Sequence, residues 1–265
     1  MPTPPGPTLE LAGPARLIAL PRPLRIMLEL DASAMDWRAL DLAVEIAALL
    51  SGELHGRLIQ NMDLLRVAGL PFAREIGISS ALDRGYGAEL MLRSLRAAAR
   101  HIETHLARSA KAANVRWSLQ VIHRGPAPSP TAEELFDVMV LGPAREWHFR
   151  PTASPVDKRL RLLWWGAGPG SPAGPMQALL GLLARRGQIE IFLLGGDNDA
   201  REAWLRDMRV PSHRLGPGDD PRQLRGALSA WRIRPSYCIA PRALGSVMLD
   251  AIAREIGCPV LVFGE

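Results

Sequence analysis

A chain of 265 residues, 48% apolar and 22% charged, carries enough hydrophobic side chains for a core and excludes an intrinsically disordered protein; at roughly 150 residues per domain it accommodates two domains or one large one. Its net charge of +5 rests almost entirely on arginine, Lys111 and Lys158 being the only lysines, and the arginines are interspersed with acids, which argues for a solvated surface and against a nucleic-acid-binding protein. No run approaches the about 18 uncharged apolar residues that a bilayer crossing needs, which excludes a membrane span.

Residues 1–23 are rich in proline and glycine and lack a basic stretch ahead of an apolar one, so they read as a flexible tail rather than a signal peptide. A strand follows over Leu24 to Leu30, then the turn Asp31-Ala32-Ser33 and a helix over Asp36 to Ser51. On that helix Arg38, Asp41 and Glu45 share one face at spacings of three and four, and the apolar remainder should be buried. Gly52 ends the helix and a second strand spans Glu53 to Gln60. A long amphipathic helix is expected over Ala88 to Ala112, with Leu92, Leu95, Ala99, Ile102 and Leu106 facing the sheet and Arg93, Arg96 and Arg100 facing water. His101 and His105 lie one turn apart on it, and with no third ligand indicated by spacing they are expected to be solvated rather than metal-binding. Strands at Val115 to Ile122 and Phe136 to Leu141, separated by a helical turn near Thr131 to Glu134, complete this half. Residues 143–158, with prolines at 143, 151 and 155, have linker composition.

The remaining residues repeat the order strand, turn, helix, glycine, strand. An offset of 135 residues carries Leu24-Leu30 onto Arg159-Trp165, Gly52 onto Gly187 and Glu53-Gln60 onto Gln188-Gly195. Such a unit is a βαβ crossover, whose helix makes its strands parallel. Trp164 and Trp165 are assigned to an interface between the halves. The turn Gly166 to Gly174 lies between strand and helix, but its register is not G-x-G-x-x-G and its prolines remove donors, so a flexible turn is favoured over a phosphate cradle. Further helices are expected at Pro172 to Arg186, Ala200 to Met208, Pro221 to Trp231 and Leu244 to Ile256. Strands are expected near His213, at Ser236 to Ala240 and at Pro259 to Phe263. Cys238 and Cys258, the only cysteines, form no C-x-x-C motif; buried structural thiols in a reducing cytoplasm fit them best. Alternating strands and helices make a doubly wound α/β sheet, where ligands sit beyond the carboxyl ends of the strands at a switch point.

Leu244-Gly245-Ser246-Val247 followed by Cys258-Pro259-Val260-Leu261-Val262 resembles the end of the universal stress protein fold, and Leu28-Glu29-Leu30-Asp31-Ala32-Ser33 resembles its first strand and Asp-x-Ser turn. The segment Leu64 to Glu75 looks like an insert of bacterial members. The resemblance covers residues 24–142 and 159–265. It implies two tandem doubly wound, parallel-sheet domains of the adenine nucleotide alpha hydrolase-like kind, the first of them (24–142) lacking its last helix and strand.

It also implies a nucleotide site in two parts, an acid after the first strand and a glycine-rich phosphate loop, G-x-x-G and then G-[ST], after the fourth. Glycines let backbone N–H groups reach phosphate oxygens at a helix N-terminus. The first half keeps Asp31, Ser33 and Gly142 but runs from Gly142 into the linker; the second keeps Pro241, Gly245 and Ser246 but has Gly166 where Asp31 stands. Asp31 and Ser33 are also an ordinary cap for the following helix. Each site is therefore degenerate, and the ligand implied is ATP, ADP or AMP, bound weakly or not at all.

No Walker loop, nucleophile elbow or paired-carboxylate spacing stands out. The expectation is a bacterial, cytoplasmic binding or regulatory protein rather than an enzyme, with a protein partner or a second copy as its other class of ligand, and with the two halves packed through the edge left open by the shortened first one. The alternatives are a nucleotide-dependent enzyme of the same α/β class using the Gly166 to Gly174 turn, and an adaptor that binds no small molecule.

Overall fold

A computed structural model describes residues 23–32, 37–70, 74–76, 83–85, 87–124, 136–142, 160–166, 174–185, 189–196, 198–216, 220–230 and 232–263. In chain order these form β1 (Arg25–Asp31), α1 (Trp37–Leu49), β2 (Glu53–Asn61), α2 (Met62–Ala68), β3 (Arg74–Ile76), β4 (Asp83–Gly85), α3 (Ala88–Ala112), β5 (Trp117–Arg124) and β6 (Val138–Leu141). Then come β7 (Leu160–Trp165), α4 (Gly174–Arg185), β8 (Ile189–Leu194), α5 (Asn198–Asp207), β9 (Ser212–Arg214), α6 (Pro221–Ala230), β10 (Tyr237–Pro241), a 3-10 turn (Arg242–Leu244), α7 (Gly245–Ile256) and β11 (Val260–Phe263). Within Leu64 to Glu75 the chain forms most of α2 and the start of a small antiparallel ribbon, β3 with β4.

Nine strands make one sheet in the order β5-β2-β1-β6-β11-β10-β7-β8-β9. Every neighbouring pair is parallel except β6 with β11, where Val138 to Leu141 run against Phe263 to Val260. On both sides of this junction the first strand lies between the second and the next strand along, β2-β1-β6 on one side and β8-β7-β10 on the other. The turn from α1 into β2 requires glycine at 52, where a Cβ would lie 2.2 Å from Ile26 Cδ1 and 2.7 Å from the Leu24 carbonyl oxygen.

Side-chain alternation along the strands sorts the core into two layers. One contains Ile26, Leu28, Val138, Val140, Leu162, Trp164, Ile191, Leu193, Ile239 and Leu261 and is packed by α1, α3, α4 and α5, so it crosses the junction. The other contains Met139, Leu141, Leu163, Trp165, Cys238, Ala240, Val260 and Val262 and is packed by α6 and α7. This second layer reaches Met27 on β1 and takes in no residue of β2 or β5. There the same face bears Glu29, beside Arg57 in register, and His55, whose Nδ1 lies 3.0 Å from Ser118 Oγ. Arg57 is buried, and His55 Nε2 is buried without a hydrogen-bond partner among the described residues.

Three side-chain expectations are corrected. Leu92 is 37% exposed, and the buried stripe of α3 is Leu95, Ile102, Leu106 and Ala110. A 25-residue helix is about 37 Å long and overhangs strands of about 30 Å, so its first turns pass beyond the sheet. His105 is not simply solvated: its Nε2 lies 2.8 Å from Asp41 Oδ1 and its ring centroid 4.8 Å from that of Trp37, which ties α3 to α1. Trp164 and Trp165 lie on β7, an interior strand away from the β6–β11 seam, and point into opposite layers. Trp164 meets Trp204 of α5 edge to face at 6.3 Å.

The terminal strand β9 is three residues long, and its charges are engaged. Arg214 Nη2 donates to Glu202 Oε2 at 2.8 Å and to Asp199, while Nε donates to Glu202 Oε1. That hydrogen bonding holds the Glu202 carboxyl below its ordinary range. A carboxyl depressed in the folded state contributes stability above its unfolded pKa and loses it as pH falls through the folded one. Arg214→Ala is therefore expected to be less stable than the parent at neutral pH, with the gap closing as carboxylates protonate. Urea midpoints at neutral and strongly acidic pH measure this, and an unchanging gap would refute it.

Leu261 is fully buried at the junction, opposite Val140. Leu261→Ala should cost about 2–5 kcal/mol. Because both sides share one sheet and one apolar layer, tryptophan fluorescence and far-UV circular dichroism should still report a single coincident transition. Two separate transitions would show that the sides unfold independently.

Candidate functional site

Strand order reverses beside β1 and again beside β7, so the sheet offers two switch points. At the first, Glu29 of β1 is level with Leu141 of β6, which brings Asp31 and Gly142 together at the carboxyl ends of adjacent strands. Beyond Asp31 the Ala32 N–H donates to the Ile59 carbonyl at 2.9 Å and keeps the chain against β2. Asp31 is exposed and Gly142 half-buried. Ser33 lies outside the described residues, as does residue 36 where the helix was expected to start.

At the second switch point Trp164 is level with Ile239, so Gly166 and Pro241 emerge side by side. Gly166 is buried, and a Cβ there would lie 2.8 Å from Pro241 Cδ. The proline ring thus packs on the end of β7. From Pro241 the chain passes through the 3-10 turn directly into α7, whose first residue, Gly245, has φ 73°. Ser246 is half-buried in the first turn, and the residue ahead of the helix makes no side-chain capping bond. No room is left between β10 and α7 for a glycine-rich phosphate loop. The glycine-rich turn after β7 falls at residues 167–173, outside the described residues.

Sequence reasoning missed the residue that closes this end. Arg201, from α5, is 2% exposed. Its guanidinium donates to the carbonyls of Gly166 and Gly195, the latter at 3.3 Å, reaches Asn198 Oδ1 at 3.4 Å, and lies 5.3 Å from the Trp164 ring centroid. Carbonyls at strand ends have no partner within the sheet, and a five-donor fork satisfies several at once while its flat face stacks on the indole. The available signal was one arginine in the first turns of a helix following Gly195-Gly196, both at positive φ.

The antiparallel seam places the two switch points at opposite ends of the sheet. Asp31 and Gly142 are brought together, and Pro241, Gly245 and Ser246 are brought together, but the two groups are not. Arg242 bridges the halves differently, its guanidinium 4.8 Å over the ring of Phe136 ahead of β6. Cys238 and Cys258 are both buried and in no disulfide, and burial pushes the Cys238 thiol far up. Among the described residues no three histidines, cysteines or carboxylates group as a metal site, and no helix is long and apolar enough to cross a membrane.

No protein-family model matches the chain, and no curated protein matches it. Among solved structures, a universal stress protein from Archaeoglobus fulgidus DSM 4304 is 13% identical over 91% of this chain and 96% of its own, with a TM-score of 0.43. A protein from the universal stress protein family from Burkholderia pseudomallei is 14% identical over 72% of this chain and 93% of its own, with a TM-score of 0.25.

Replacing Arg201 by methionine keeps the apolar stem and removes every donor. The stranded carbonyls should cost about 2–4 kcal/mol, with Arg201→Lys recovering part of it. Chemical denaturation of both variants tests this; an Arg201→Met protein as stable as the parent would show that the guanidinium is dispensable.

Proposed function

We propose that this protein is a cytoplasmic binding and regulatory protein of the universal stress protein type rather than an enzyme. In this reading it is built from two copies of one α/β unit, residues 24–142 and 159–265, and the second copy serves chiefly as scaffold. A weakly held adenine nucleotide, ATP, ADP or AMP, is confined to the first copy, with Asp31 facing its sugar or base. The repeated winding β2-β1-β6 and β8-β7-β10 and the echo in sequence support the two-copy reading. The two buried thiols, neither in a disulfide, support a reducing compartment.

The observation that carries the assignment is the contrast between the two carboxyl ends. At the second, the Pro241 ring and the Arg201 guanidinium occupy the strand ends. At the first, an exposed carboxylate stands beside a glycine at the switch point. A guanidinium already committed to carbonyls offers little to a phosphate, whereas an exposed carboxylate can accept hydrogen bonds from ribose hydroxyls.

A ligand that binds only the folded chain raises its melting temperature. Thermal unfolding with millimolar ATP, ADP and AMP should show a small upward shift that Asp31→Ala removes and Ser246→Ala leaves in place. A shift abolished by Ser246→Ala would move the site to the second copy. No shift with any nucleotide would favour the partner-binding reading, which has its own support in the exposed apolar side chains Val67 and Leu70 after β2 and Leu90 and Leu92 on α3.

A further inference from the structure

Helices α1 and α3 are joined by a chain of three side chains whose chemistry fixes the place of a proton. His105 Nε2 lies 2.8 Å from Asp41 Oδ1, and His105 Nδ1 lies 3.1 Å from Arg108 Nη2. A guanidinium has only donors to offer and does not lose its charge in a protein, so Nδ1 must accept from Arg108. The proton of the neutral ring therefore sits on Nε2 and is donated to Asp41. Trp37, the first residue of α1, lies against the same ring at 4.8 Å between centroids.

Both ring nitrogens are thus in use, and one lone pair has two claimants. A proton arriving at His105 can bind only at Nδ1, the atom that Arg108 already occupies. We infer that His105 is a proton-operated clasp between α1 and α3. While neutral, the imidazole holds Asp41 on one side and Arg108 on the other. Once protonated, it releases Arg108 and grips Asp41 as an ion pair. Arg108 left in place would face a like charge in near contact, and an exposed side chain avoids that by turning into water. Trp37 does not oppose the change, because the face of an indole attracts a cation.

The surroundings leave these two partners in control. Asp41 and Arg108 are the charged groups in contact with the ring. On α1, Arg38 and Glu45 lie on the exposed face that Asp41 shares, and on α3 His101 and Glu103 are exposed one turn or less before the ring. Beneath α3 the neighbouring Ile102 and Leu106 enter an apolar layer. Of the other elements against α3, α2 carries Asp63 and Arg66, paired with each other at 3.2 Å. β5 has no ionisable side chain from Trp117 to Ile122, and His123 follows toward its carboxyl end.

Nuclear magnetic resonance of the full chain, labelled with 15N in its histidine rings, tests the inference. His105→Gln assigns the His105 signals among those of the six histidines. At mildly alkaline pH the ring is expected in its Nε2–H form. Arg108→Met removes the competitor for the lone pair and should move the midpoint of the His105 titration upward by about 0.5 pH unit or more, whereas Asp41→Asn should move it downward. Lys111→Met deletes an equal charge from the last turn of α3 without vacating Nδ1, and should move the midpoint upward by a smaller amount. Asp41, Arg108 and Lys111 are all exposed, so none of these substitutions touches the core. An Nδ1–H ring at alkaline pH, a midpoint that Arg108→Met leaves in place or lowers, or an equal response to Arg108→Met and Lys111→Met would each overturn the inference.

Discussion

Pairing of Val138–Leu141 with Val260–Phe263 holds this molecule to a single sheet. Without it, β6 would present a hydrophobic edge with unpaired amides, and so would β11, since each has only one other neighbour. All eight residues of this pairing are buried, so the backbone bonds form where water cannot compete and the side chains above and below unite the two sides. An apolar layer that runs from α1 and α3 to α4 and α5 is possible only because this junction is closed. Its antiparallel sense also decides where chemistry can occur, by sending the carboxyl ends of β1 and β6 one way and those of β7 and β10 the other.

The two faces of the sheet are not equally dry. Parallel strands are normally covered on both sides and read as nearly continuous apolar runs. β7, β8, β10 and β11 follow that rule and supply both apolar layers. β1, β2 and β5 alternate instead, with Glu29, Asp31, His55, Arg57, Ser118 and Gln120 in the other phase. Of these, Arg57 is buried while Asp31, Ser118 and Gln120 are exposed, so most of this polar phase keeps its contact with water and only Arg57 is fully withdrawn from it. This contrast matches that of the carboxyl ends, where the apolar side of the sheet is also the one whose switch point is filled.

The fold was largely legible because it is written in local periods. Period-two alternation at Ile26 to Leu30, the seven buried positions of α1 and the glycine stops at 52 and 257 specify their elements without reference to the rest of the chain. The open edge of the first half was also legible, as a strand with no successor before the linker. Long-range side-chain pairings were not. His105 and Asp41 are 64 positions apart, and the sequence contains no mark that α3 would lay one against the other. Arg201 was invisible for the same reason: its partners Gly166 and Gly195 contribute only carbonyls, which every residue possesses. Asp31 and Gly142 were read as following the first and fourth strands, and the pairing of β1 with β6 puts those strand ends side by side, whereas the packing of Pro241 on Gly166 depends on local shape that composition does not encode.

A filled switch point at one end of the sheet and an exposed carboxylate at the other make a division of labour physically coherent. The opposed strand directions separate the two ends by the length of the strands between them, about 15–20 Å for strands of five or six residues. Arg201 is committed to the carbonyls of Gly166 and Gly195 at its own end of the sheet and makes no contact with Asp31 at the other. What the two ends share is the sheet itself. Any influence of one on the other must therefore pass through the β6–β11 seam as a change in packing or register. A close-packed junction of eight buried side chains resists such change, so the two sides of the sheet are mechanically coupled through a stiff seam.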